Sequence, residues 1–175
     1  MANFPTLTRH AIYGQENQIE DSVIRSNMEA GYQHRRPRYT RSRIDFGTIT
    51  IDNITDDDKD TLFTFETTTL GNGADSFDWQ NPSEIYGGRL WDATTAYVVG
   101  SIVRPTIVNG HSYKCTTTGT SDSAEPSWPT YKNETIVDGT ITWTENTYNV
   151  ALKSPIRFKE KSFGYWTVEI ALMEI

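Results

Sequence analysis

Cysteine is almost missing from this chain. Cys115 is the only thiol in 175 residues, so no disulfide can form within the sequence. That suits assembly in a reducing cytoplasm. Long apolar runs are missing as well. The longest, such as 96–100 and 170–173, fall far short of the roughly 20 residues a membrane span needs, and no membrane insertion is expected. The opening Met1-Ala2-Asn3-Phe4-Pro5 lacks a basic stretch followed by an apolar one, so no secretory signal is expected. A basic excess is absent too. The chain has 16 Lys and Arg against 23 Asp and Glu, a net of −7, which argues against a general nucleic-acid binder. Aromatics, by contrast, reach 12%, too many for a disordered chain.

Recognisable catalytic and metal motifs are also lacking. His10, His34 and His111 are scattered, with no neighbour at ligand spacing. There is no Cys-x-x-Cys and no His-Glu-x-x-His. Gly71-Asn72-Gly73 lacks the Lys-Ser/Thr of a phosphate loop, and no nucleophile elbow stands out. No enzyme activity, cofactor or metal is expected.

What is present is unevenly distributed. Residues 1–50 carry seven Arg, no Lys and five acids, whereas 51–87 carry one Lys and nine acids. From Gly87-Gly88 to about Thr147 the chain is rich in Thr, Ser, Gly and Trp and crowded with turn signals. Asn109-Gly110 predicts a hairpin between 101–108 and 111–117, and Asp138-Gly139 another between 135–137 and 140–144, because tight hairpin turns need positive φ. Residues 117–127 read as a surface loop. The flanks read as a second β unit. Residues 43–54 are β-branched and aromatic, with Gly47 a candidate bulge. Residues 154–161 and 165–175 alternate, and Trp166, Val168, Ile170 and Leu172 share a face that should be buried.

One α-helix is expected. Thr55 is a good N-cap, and Asp56, Asp57 and Asp58 occupy a first turn where backbone N–H groups and the helix dipole favour carboxylates. Leu62, Phe63 and Phe65 would form its buried face, with Leu70-Gly71 at its end. Capping explains the Asp run better than a metal does, because hard-cation loops space their carboxylates.

Three segments carry a resemblance: Met28-Glu29-Ala30-Gly31-Tyr32-Gln33-His34-Arg35-Arg36-Pro37-Arg38, Gly73-Ala74-Asp75-Ser76-Phe77-Asp78-Trp79-Gln80-Asn81-Pro82, and Trp166-Thr167-Val168-Glu169-Ile170-Ala171-Leu172-Met173-Glu174. In order and spacing around one helix they resemble the distal-tail and minor-tail proteins of long-tailed bacteriophages, including the lambda-type minor tail protein M family. The resemblance implies a mainly β fold, a tail-tube-like β-barrel or sandwich with one α-helix, built from 1–87 plus 148–175. It also implies a homo-oligomeric ring, expected to be a hexamer, joining the tail tube protein to the tail tip hub protein. Such a protein would be made in the host cytoplasm and located in the virion tail.

The departure is the stretch 88–147. Trp91, Tyr97, Gly100, Val103, Gly110, Tyr113 and Cys115, then Pro126-x-Trp128-Pro129 and Asp138-Gly139-Thr140-Ile141-Thr142-Trp143, resemble small inserted β modules of the chitin-binding, carbohydrate-binding type. Surface loops with neighbouring ends tolerate such insertions. Its rings either form its core or offer faces to a sugar. Trp91, Tyr97 and Trp143 are expected inside. Trp128 and Tyr131 are the candidates for exposure and for glycan binding, the partner then being a host surface carbohydrate. Cys115 reads as a small buried β residue.

Arg35, Arg36, Arg38, Arg41 and Arg43 lie within nine residues, and Asp56, Asp57 and Asp58 belong to an acidic complement. Each ring subunit presents two different faces, so basic and acidic patches can meet between copies. These eight residues are the interface candidates; a solvated loop is the alternative reading of the arginines. Sequence-specific nucleic-acid binding is not expected. Three further readings stay open: a stand-alone carbohydrate-binding protein, another virion component such as a capsid decoration or head–tail joining protein, and an enzyme.

Overall fold

The computed structural model describes residues 1–9, 17–27, 31–38 and 40–175. His10, Tyr39 and Met28, Glu29 and Ala30 of the first resembling segment lie outside them. In chain order the elements are β1 (Ala2–Asn3), β2 (Gln18–Ile19), β3 (Val23–Asn27), β4 (Gln33–Pro37), β5 (Ile44–Thr55), α1 (Asp56–Thr64), a π-helical turn (Phe65–Thr69), β6 (Phe77–Trp79) and α2 (Pro82–Gly87). They continue with β7 (Ala96–Tyr97), β8 (Ile102–Val103), β9 (Tyr113–Thr117), β10 (Gly119–Thr120), β11 (Thr135–Asp138), β12 (Ile141–Glu145), β13 (Tyr148–Leu152), β14 (Arg157–Ser162) and β15 (Tyr165–Glu174).

The expected mainly β character holds. The two ends of the chain build one seven-stranded sheet, ordered β1-β6-β13-β15-β5-β2, with β14 also on β15. Only β1 and β6 run parallel. The backbone of the sheet is β5 against β15, and both alternate as their sequences do: Ile49 and Ile51 face Val168, Ile170 and Leu172 within one core. The register slips at two bulges in β5. One falls at Gly47 (φ +62°) and the other at Asn53 (φ +58°), which supply the left-handed backbone that a bulge can use. Phe46 and Trp166, 120 positions apart in sequence, pack on the same core.

Of the expected barrel or sandwich, no closed barrel forms among the described residues. The sheet ends on β1 and β2, two-residue strands that do not pair with each other among the described residues, so the sheet stays open. Among the described residues there are two α-helices rather than one. Thr55 caps α1 by accepting from the Asp58 amide, as expected. Leu62, Phe65 and Leu70 enter the core, but Phe63 points to solvent, 57% exposed. Asp58, Leu62, Phe65 and Glu66 form the buried face at helical spacing, and Phe63 falls between its rows. The second helix, α2, is capped by Asn81, whose Oδ1 accepts from the Ser83 amide, and Pro82 begins it.

Residues 91–143 form a separate apolar cluster: Trp91, Tyr97, Val103, Tyr113, Cys115, Ile141 and Trp143, with Trp128 packed against it. Its sheet runs β11-β12-β9-β8, and β7 pairs with β10. The 117–127 loop is thus partly a strand, and Ser121 within it is buried. Two turns differ from expectation. Asn109-Gly110 sits in a nine-residue loop between β8 and β9, because Arg104 leaves the hairpin to bridge Leu90. At the other hairpin Asp138 pairs with Ile141, so the turn is Gly139-Thr140. That one-residue displacement moves Asp138 into the strand and turns its side chain inward, where it is 2% exposed.

Candidate functional site

Polar chemistry concentrates where the 91–143 cluster meets the seven-stranded sheet. Glu145 ends β12 and is 1% exposed. A carboxylate removed from water must gain hydrogen bonds. Here Oε1 takes them from Gln80 Nε2, Thr147 Oγ1 (2.6 Å) and His111 Nδ1 (2.8 Å), and Oε2 from the Asn133 amide (3.2 Å). Burial pushes the Glu145 carboxyl up, but these four donors outweigh it and hold it below its ordinary value. Glu84 on α2 makes a second knot. It accepts from Ser112 Oγ (3.0 Å), Asn146 Nδ2 (2.9 Å) and Tyr148 OH (2.8 Å). Burial, then the Glu84 charge, raises the Tyr148 phenol. Arg104 Nε donates to the Gly88 carbonyl (3.0 Å), and Lys132 ion-pairs with Asp78. Many polar ties thus cross this junction.

Between them opens a cleft of about 460 Å³, within the range of small-molecule sites. Asp78, Gln80 and Thr147 line one side, and His111, Tyr131 and Lys132 the other. Tyr131 stands at its edge, 78% exposed. Gln80 Oε1 is shielded from water and has no hydrogen-bond partner.

Of the two glycan candidates, Tyr131 is exposed as expected and Trp128 is not. The Trp128 ring lies 4.3 Å from Tyr113 and 6.0 Å from Trp143, and its Nε1 donates to Glu125 (2.8 Å). Packing and that bond turn it into the wall of the small core. Burial pushes the Tyr113 phenol up to about 12, and its OH donates to the Pro129 carbonyl. Trp91, Tyr97, Trp143 and Cys115 are buried, as expected.

The interface candidates divide. Arg35 and Arg36 lie on β4, which pairs with β3 as a two-stranded sheet of its own. Almost every residue of these two strands is exposed. Arg35 sits directly opposite Arg25, a like-charge pair that costs stability, and Asp21 offsets it by binding Arg25 at 2.5 Å. Arg38 follows the hairpin, its amide donating to the Ser22 carbonyl (2.6 Å). Arg41 and Arg43 precede β5 rather than sharing a strand face. Arg41 ion-pairs with Glu174, and the Arg43 carbonyl accepts from the Glu20 amide. Asp56 accepts from Trp166 Nε1 (2.6 Å), and Asp57 is exposed. Asp58 is a correction. It is buried and bound by the Thr8 amide and hydroxyl, so it is spent on fixing the N-terminal segment.

Gln80, Glu84, His111 and Glu145 were not legible as a group, since 65 positions separate Gln80 from Glu145. Among the described residues no group of three or more His, Cys, Asp or Glu could hold a metal, and no helix is long and apolar enough to cross a membrane. No family model matches the sequence, and no curated protein matches it at a significant level.

Proposed function

We propose that this chain is a structural subunit of a long-tailed phage virion, a distal or minor tail component that closes a ring between tail tube and tip hub. In this reading 1–87 and 148–175 form the ring body. Residues 88–147 are an inserted module facing outward, towards host glycan or a neighbouring tail protein. The observation that carries the reading is the β3–β4 hairpin. A lone two-stranded hairpin is marginal in water. This one stands apart from the seven-stranded sheet and carries Arg35 and Arg36 on its surface. Among the described residues no third strand pairs with it, and docking on the acidic surface of another copy, where Asp56 and Asp57 lie, would supply a partner. The resemblance of the flanks supplies the biological setting.

The test is assembly. The native chain should form a closed ring in native mass spectrometry and negative-stain images. Arg36→Glu with Arg38→Glu should leave a folded monomer. A strictly monomeric native protein absent from purified particles, or assembly unchanged by the double reversal, overturns the reading. A stand-alone carbohydrate-binding protein is the second reading, favoured by exposed Tyr131 beside a polar cleft.

A further inference from the structure

We infer that the cleft between the inserted module and the sheet, with Tyr131 at its edge, is a binding site for a neutral saccharide of one or two hexose units. The inference rests on the glycan-contact part of the proposal above and gives that contact an address, away from Trp128.

The chemistry of the walls selects the ligand. Tyr131 presents an uncovered ring, 78% exposed, suited to the apolar C–H face of a pyranose. Around it the lining mixes polar groups with the rings of Phe4 and Trp79. Lys132 brings three N–H donors and uses one on Asp78, while the second oxygen of Asp78 is an acceptor. The Nδ1 edge of His111 is held by Glu145, which leaves Nε2 for a ligand. Gln80 Oε1 is a shielded acceptor without a donor, its amide held through Nε2 by Glu145 and Thr147. Sugar hydroxyls, each both donor and acceptor, match such a surface.

Other ligand classes fit poorly. A phosphate or carboxylate would meet Asp78 with the buried Glu145 carboxylate behind it, and the Lys132 cation is already neutralised. An apolar ligand would cover the remaining Lys132 donors and the His111 Nε2 edge without replacing their water. At about 460 Å³ the cleft is of small-molecule size.

The arrangement is also held in place. Gln80, His111 and Thr147 line the cleft, and all three are bonded from behind to Glu145. Groups fixed in this way lose little freedom when a ligand arrives. The site needs both parts of the chain, because Asp78 and Gln80 come from the sheet side and Tyr131 and Lys132 from the module.

The full chain, labelled and applied to a broad glycan array, should retain neutral glycans and not sulfated, phosphorylated or uronate ones. Affinity for the best disaccharide hit, followed by NMR titration, should fall at least tenfold in Tyr131→Ala and stay within about threefold in Tyr131→Phe, which keeps the ring. Because Tyr131 is exposed, thermal melting should not move and reports that the variant is folded. No retained glycan, retention of acidic glycans alone, or undiminished binding by Tyr131→Ala overturns the site. Ring assembly is read separately by native mass spectrometry. An intact ring with no glycan signal removes the saccharide site alone, whereas a monomer that binds glycan removes the ring and keeps the site.

Discussion

Replacing Asp138 by alanine should unfold the inserted module. The carboxylate is 2% exposed and serves three donors: Trp91 Nε1 (2.8 Å) and Trp143 Nε1 (2.9 Å) on Oδ2, and the Asp122 amide (2.8 Å) on Oδ1. It ties Trp91, at the start of the module, to β11 across 47 positions. In Asp138→Ala both indoles keep their buried N–H groups and lose the acceptor. A buried unsatisfied group costs about 1–3 kcal/mol, so three donors, partly relieved by relaxation and water, give roughly 3–6 kcal/mol. A core of this size rarely supplies more than about 3–5 kcal/mol. Asp138→Asn keeps one acceptor oxygen but turns an N–H towards a donor, and should cost about 1–3 kcal/mol. Urea unfolding followed by tryptophan fluorescence and near-ultraviolet circular dichroism reads both. The expected order is native, then Asn, then Ala, with the alanine variant lacking the module's near-ultraviolet signal in the absence of urea. A loss below about 1 kcal/mol in Asp138→Ala would refute the view that this one carboxylate organises the module's core.

Three further outcomes follow from the same geometry. Phe46→Ala removes a fully buried ring lying 4.8 Å from Trp79 and 5.0 Å from Tyr148, and should cost about 3–5 kcal/mol in urea unfolding. Gly139→Ala places a Cβ 2.4 Å from the Thr120 carbonyl at a φ of +61°, and a loss above about 1 kcal/mol in the same assay is expected. Glu145 is held below its ordinary 4.5, so its contribution to stability is present above that pH and is lost as pH falls through the lower folded value. The urea midpoint should therefore drop on acidification below the ordinary 4.5, and less steeply in Glu145→Gln. Equal slopes would show that Glu145 titrates alike folded and unfolded.

Local signals were readable where one element decides the outcome alone. Thr55 caps α1 because its hydroxyl needs only the Asp58 amide three residues on. The alternation of Val168, Ile170 and Leu172 needs only the twofold repeat of a strand. The second helix was missed although its signal is local: Asn81-Pro82-Ser83-Glu84 holds a cap, a first-turn proline and an acid in the first turn. Strict helical spacing also places Phe63 off the buried face.

Other features were set only when distant parts met. Periodicity says which face of a strand is apolar, but not what covers it. Trp128 looked free because its partner Tyr113 lies 15 positions upstream, and the Glu84 and Glu145 knots join residues more than 60 positions apart. Whether the sheet closes depends on its edges, and β1 and β2 are too short for their sequences to announce a pairing. The amino-acid order by itself determined the long strands β5 and β15, the capped helix α1 and the mainly β class, because those need only neighbours along the chain. Tertiary packing alone decided the open sheet, the inward Asp138 and the cleft beside Tyr131, because each depends on how separate segments share buried space and hydrogen bonds.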